Sequence, residues 1–308
     1  MRLLVKIYLI TFFLFLSCIA CTTTTNVQKD VQSVASSSYA LDNFIGPKKK
    51  IAVANFSNST PYGQRRLGKN ISSILMAELS STNRFILIER TNMEDVVEEI
   101  KLSMSGLTEN TVDELQLTGA DYLVFGDVTK FAVNTEGKST LVSKKKIQKA
   151  EVSVDLRMVN VSTGQIVLSE TGTGAASKEM KQVLGQGGSG SYDEALEQDA
   201  FRSAVVSLVD KVVNNLDQKE WISNIVKIES NKIYIDAGRK SNLKKNTSFR
   251  IFSRADIIKD NEGNILGYDE EYLGGALLTK FIGEDAAIIT TQVDTSTLEL
   301  PAVVKLNK

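Results

Sequence analysis

The chain has 308 residues, 42% of them hydrophobic, with 36 lysines and arginines against 37 aspartates and glutamates. It contains no histidine and only two cysteines, Cys18 and Cys21, which excludes imidazole and thiol chemistry from the folded body and any disulfide within it. The length suits two ordinary domains, and the balanced charge argues against nucleic acid as a partner.

Arg2 and Lys6 flank the start of an uncharged run from Ile7 to Leu16, followed by the small residues Ser17, Cys18, Ala20 and Cys21. That is a charged, then apolar, then cleavable leader, too short for a transmembrane helix of roughly 20 residues. A cysteine behind a small residue at the end of such a region resembles a bacterial lipoprotein signal, which implies lipidation of that cysteine, palmitate included, and a lipid anchor in a membrane. Cys18, behind Leu16 and Ser17, is the preferred site, and Cys21, behind Ala20, is the alternative. Residues 1–20 then form the signal region, and 21–47, rich in Thr, Ser, Asn and Gln, a flexible tether.

Residues 48–217 read as an α/β domain. "KKKIAVANF" is a short buried strand, and Leu67, Ile71, Ile74, Leu75 and Leu79 give the next segment one apolar helical face. "RFILIER" is a second buried strand. Thr91 with Glu94, and Thr111 with Glu114, form two capping boxes that predict helices. "ADYLVFGDV" is the next strand, and "EVSVDLRMV" alternates strictly, with Val152, Val154, Leu156 and Met158 on one face. A turn around Thr163 and Gly164 leads to an antiparallel partner, and a long helix carrying Leu196, Ala200, Phe201, Ala204, Leu208, Val212 and Leu216 closes a mixed sheet flanked by helices.

From Trp221 the pattern changes to short strands and turns. "NIVKIES" and "NKIYIDAG" form a hairpin, and "DNEGN" is a turn of the composition such turns require. About six or seven strands over 218–308 predict a small all-β barrel, since closure removes the exposed edges of a small antiparallel sheet.

"KIAVANF", "ILMAELSSTNRFILIER", "GADYLVFGDV" and "DLRMVNVSTGQIVLS", in that order, resemble the CsgG family, lipid-anchored outer-membrane proteins named after the curli secretion channel. The resemblance covers roughly residues 49 to 217. "NKIYIDAGRKSNLKKNTSFRIF" resembles the small barrel that ends FlgT, a flagellar basal-body protein. These resemblances imply a non-enzymatic lipoprotein of the outer membrane facing the periplasm. Homo-oligomers and envelope machinery, secretory or flagellar, are the implied partners, with no cofactor, metal or small-molecule substrate. Two further implied roles are a true secretion-channel subunit and an activator of a cell-wall synthase, since the same fold resembles lipoproteins such as LpoB.

The channel role makes a demand that the residues can be held to. A membrane hairpin needs apolar side chains at alternate positions. In "FAVNTEGKSTLVSKKKIQKA", Lys144 and Lys146 occupy one phase and Lys145 and Lys149 the other, and a lysine facing lipid costs roughly 2 to 4 kcal/mol. "GTGAASKEMKQVLGQGGSGSYDE" has no sustained alternation and reads as a flexible loop. The sequence therefore predicts a solvated hairpin tip whose Lys144, Lys145, Lys146 and Lys149 could form a docking loop. "GQGGSG" lacks the ending of a phosphate-binding loop and reads as a hinge.

Overall fold

The computed structural model describes residues 37–39, 43–89, 119–139, 143–183, 194–263 and 265–307. Cys18, Cys21, both capping boxes and the "GQGGSG" run lie outside the described residues. Strand β1 (Lys49–Val53) is followed by β2 (Ser57–Asn58), helix α1 (Gln64–Ser81), β3 (Phe85–Glu89), β4 (Tyr122–Ser139), β5 (Ser143–Asn160), β6 (Ile166–Val183) and α2 (Glu194–Asp217). The order across the sheet is β3-β1-β4-β5-β6, with β2 beside β4. β1 runs parallel to β3 and β4, whereas β4, β5 and β6 are antiparallel neighbours.

The helices cover one face of this sheet because their apolar stripes have nowhere else to go. Leu67, Ile71, Leu75 and Leu79 of α1, and Ala200, Phe201, Ala204, Leu208, Val212 and Leu216 of α2, are buried against Val152, Val154, Leu156 and Met158 of β5. α1 starts behind Gly63, whose φ of 68° places it in the left-handed region that glycine adopts without strain. Two ion pairs clasp α1 to α2: Arg66 with Glu197 at 2.9 Å and Arg202 with Glu78 at 2.7 Å. α2 also lies unusually close to β6. A Cβ added to Gly174 would stand 2.0 Å from the Ala200 carbonyl oxygen and 2.6 Å from the Ala204 nitrogen.

The segment read as a flexible loop from Gly172 is strand as far as Val183, paired residue by residue with β5. Local glycine and polar content misled the reading; pairing to β5 and the need for glycine under α2 override it. The end of the segment read as tether is fastened to the body. Ser37 Oγ donates to Asp210 at 2.7 Å, Tyr39 Oη donates to Asn214 at 2.6 Å, and the Arg84 guanidinium lies over the rings of Tyr39 and Phe44.

The remaining strands are β7 (Ile222–Glu229), β8 (Lys232–Ile235), β9 (Ser248–Lys259), β10 (Ile265–Ile282), β11 (Ala286–Thr291) and β12 (Ala302–Leu306). They close into a barrel in the order β10-β11-β8-β7-β12-β9, around Trp221, Ile233, Ile235, Phe249, Ile251, Leu278, Ile289 and Val304. Two strands are longer than the short elements expected. β12 accompanies β9 only through Ser253, and β11 accompanies β10 only from Ala276. Arg254–Lys259 and Ile265–Tyr272 therefore leave the barrel as a two-stranded arm. That arm reaches the β5–β6 turn, where Tyr268 Oη donates to the Ser162 carbonyl at 3.1 Å and Gln165 Nε2 to the Ile265 carbonyl at 3.2 Å. All described residues fall in one compact unit.

Gly174→Ala should destabilise the fold by about 1–3 kcal/mol, the usual cost of forcing an extra carbon into a packed contact. Gly267→Ala, where nothing lies within 4 Å, should stay within about 0.5 kcal/mol of the parent. Urea denaturation of the two variants reads the difference, and equal midpoints would refute the close approach of α2.

Candidate functional site

β5 is the spine of the most distinctive surface. In its half nearer the β5–β6 turn, Val152, Val154, Leu156 and Met158 are buried under the helices, while Ser153, Asp155 and Arg157 occupy the opposite face. The cover reaches the stacked rings of Phe131 on β4 and Phe201 on α2, 5.7 Å between centroids, with Tyr62 edge-on to Phe131 at 6.1 Å. Farther out, Ala150 and Gln148 are the last buried positions of β5, and Lys145, Lys146 and Ile147 are half-buried.

The four lysines expected in a docking loop lie on β5 itself, since Ser143–Lys149 is strand. Cross-strand pairing holds an extended segment that local composition alone would leave open. Their register brings in lysines of the neighbouring strands. Lys145 stands opposite Lys138 of β4 and Lys181 of β6, Lys144 opposite Ser139 and Gln182, Lys146 opposite Gly137 and Met180, and Lys149 opposite Asn134 and Ser177. Sequence reading missed Lys138, Lys178 and Lys181 as members of this surface. The β4–β5 register places Lys138 beside Lys145, and the β5–β6 register, hidden by the loop assignment, adds Lys178 and Lys181.

Acidic neighbours partly neutralise this surface. Lys145 pairs with Glu179 at 2.6 Å and Lys149 with Glu136 at 3.2 Å, at side-chain exposures of 40% and 43%, a setting in which an ion pair contributes about 0–1 kcal/mol. A hollow on the ribbon is lined by Lys149, Glu151, Ala175, Ala176 and Ser177, with no nucleophile and base in mutual reach. Among the described residues, no cluster of three metal-ligating side chains occurs. No described helix is long and apolar enough to cross a membrane, which leaves strands untested. The arrangement can bind anions by charge.

A second polar cluster lies at the other end of the sheet, where it meets the barrel. Lys50 is its centre. Its backbone N–H donates to Asp121 Oδ2 at 2.7 Å, and its Nζ donates to the Asp236 carbonyl at 2.6 Å and carboxylate at 3.0 Å. Asp236 also accepts from Ser223 Oγ and the Asn224 N–H, at 2.5 and 2.9 Å. Trp221 Nε1 donates to the Lys48 carbonyl at 3.0 Å, and Asn242 Nδ2 to the Gly46 carbonyl at 3.0 Å. Asp121 and Asp236 stand 71 and 186 positions from Lys50, so no local motif announces them.

Burial raises the Asp121 carboxyl from 3.8 to about 6, against the lowering effects of the Lys50 N–H and the Lys50 and Lys49 charges and with a further raising effect of Asp236. Burial likewise lowers Lys49, and raises Tyr122 to about 12. Between pH 4 and 6 the folded protein keeps a proton on Asp121 that the unfolded chain has released, so this group's contribution to stability falls as pH rises through that window. At 1.36 kcal/mol per pH unit the full effect is at most about 3 kcal/mol. Asp121→Asn keeps an acceptor for the Lys50 N–H and cannot ionise. Relative to it, the parent should lose stability from pH 4 to 7 in denaturant melts, and a difference independent of pH would sink the assignment.

The family model of the curli production assembly/transport component CsgG matches residues 34–247. A Neisseria meningitidis serogroup B protein named as a lipoprotein is 32% identical over 214 residues, covering 66% of this chain and 91% of that protein. The curli production assembly/transport component CsgG of Escherichia coli K12 is 26% identical over 143 residues, 42% of this chain. This chain spans only about half of that curli protein, 49% of its length. Among solved structures, the PelC dodecamer from Paraburkholderia phytofirmans is similar at 20% identity and a TM-score of 0.27, over 55% of this chain and 88% of that one.

Proposed function

The chain belongs to the CsgG family, and on that premise we propose that it is a non-enzymatic envelope lipoprotein that serves as a scaffold or adaptor of an envelope assembly. In this reading Cys18, with Cys21 as the alternative, carries the lipid in the outer membrane, and residues 48–217 and 218–308 face the periplasm as two functional domains. The α/β part assembles with further copies or docks on secretion or flagellar machinery. The barrel, whose strands from β9 onward lie beyond the family match, supplies the adaptor surface.

The observation that carries the adaptor reading is the lysine register of β5. A strand that lies in lipid needs one face free of charge, and Lys144, Lys145 and Lys146 are consecutive on β5, so both faces of the ribbon receive lysine positions. One observation favours the channel reading instead. β4, β5 and β6 are 18 residues each, more than the roughly 9–11 that span a bilayer, so length is not what would prevent insertion. The activator role draws on fold resemblance alone, and fold does not decide function.

Metabolic labelling with palmitate in a Gram-negative host, on the full chain and its Cys18→Ser and Cys21→Ser variants, tests the anchor. The label should vanish in Cys18→Ser; its loss only in Cys21→Ser moves the anchor, and its absence from the parent overturns the lipoprotein reading. Addition of residues 32–308 to dye-loaded liposomes tests the rest. Retained dye fits an adaptor, and release by an inserted ring establishes the channel.

A further inference from the structure

The charge of the molecule is sorted along the sheet. The outer ribbon, Glu136–Lys149 with Ser177–Val183, holds seven lysines and two glutamates, in a chain of net charge −1. The arm of β9 and β10 at the opposite end is the reverse, six acidic against two basic residues over Arg254–Glu271. β5, at about 3.3 Å per residue, puts roughly 55 Å between the two ends. Within the ribbon, Lys138, Lys145 and Lys181 share one cross-strand row. Lys145 of that row is partly offset by Glu179 at 2.6 Å; like charges directly opposite one another still weaken a sheet, and an anionic surface laid against the row lowers that cost.

We propose that the lysine-rich end of the β4–β5–β6 ribbon docks on the surface of an anionic lipid membrane, at head-group level and without entering the hydrocarbon. The proposal rests on the anchored-lipoprotein reading and gives the anchored body a defined orientation. Reach supports that partner. Ser37 is held at Asp210 of α2, next to Lys211, which bonds to Glu170 and to the Thr171 carbonyl of β6. From Thr171 to the end of β6 at Val183 is roughly 40 Å of strand. Either cysteine precedes Ser37 by 16 to 19 residues, a length that extends to at most about 55–65 Å. A membrane that holds the lipid therefore lies within range of the ribbon end. Lysines at positions on both faces suit a head-group layer, which is charged on every side, and oppose burial among acyl chains. The acidic arm of a second copy has complementary charge, but it sits at the far end of its own molecule and would demand head-to-tail stacking.

The test uses residues 32–308, the compact unit without leader or cysteines, with vesicles of phosphatidylcholine alone or mixed with phosphatidylglycerol. Co-sedimentation should detect binding only to the mixed vesicles, weakening as salt rises. Lys138→Gln, Lys145→Gln and Lys181→Gln combined should lower the affinity on the order of 100-fold, about fivefold per lysine. The same positions changed to arginine should retain it, as should glutamine at Lys240, Lys244 and Lys245 of the barrel region. Should the combined variant fail to fold, the single variants read the fivefold steps. Binding that is absent, or indifferent to these lysines, overturns the proposal. So does lipid-free association of copies that the glutamine variant abolishes, an outcome that assigns the row to a contact between chains. Vesicle binding is read without the anchor, and palmitate labelling reports the cysteine whatever the ribbon binds, so the two readings fail separately.

Discussion

Everything distinctive in this molecule depends on the register of β5 with its two neighbours. Antiparallel ladders pair Asn160–Lys144 with β4 and Val159–Ser143 with β6, interrupted by a register shift between Val128 and Lys130 of β4 and another between Met158 and Val159. Because side chains alternate with a period of two, a slip of one residue would turn Val152, Val154, Leu156 and Met158 away from the helices. The buried half thus locks the exposed half. Lysines that have no core to specify their placement inherit it from valines and leucines several pairs away.

The contrast between those halves explains what could be read from residues alone. The strand around Val154, the helical stripe from Leu67 to Leu79 and the long stripe from Leu196 to Leu216 were legible, because burial selects apolar residues at the period of the element. The small barrel was legible from its turns and alternating strands. The outer part of β6 was not. Gly172 and Gly174 read as loop because what they accommodate, the backbone of α2 at Ala200 and Ala204, is distant in sequence. Half the candidate surface was therefore visible as a lysine run on β5, and the other half became visible only as pairing partners.

Lys50 has a comparable role at the opposite end. It is a strand residue by backbone and a bridge by side chain, joining the sheet at Asp121 to the barrel at Asp236. With Trp221 on the Lys48 carbonyl and the arm on the β5–β6 turn, the barrel touches the sheet at several separated points. A barrel held in this way takes its direction from the sheet. Whatever orients the ribbon also orients the barrel, across roughly 55 Å of strand.

β6 is also the last strand of its sheet, with β5 on one side and no described strand on the other. A long edge strand exposes a row of unsatisfied backbone groups and invites stray chains to add to it, the route by which sheet proteins aggregate. Lys178, Glu179 and Lys181 lie on that edge. Their charges make the edge fastidious. An apolar strand must desolvate them to approach, so the same charges that mark the ribbon guard its open edge against stray pairing.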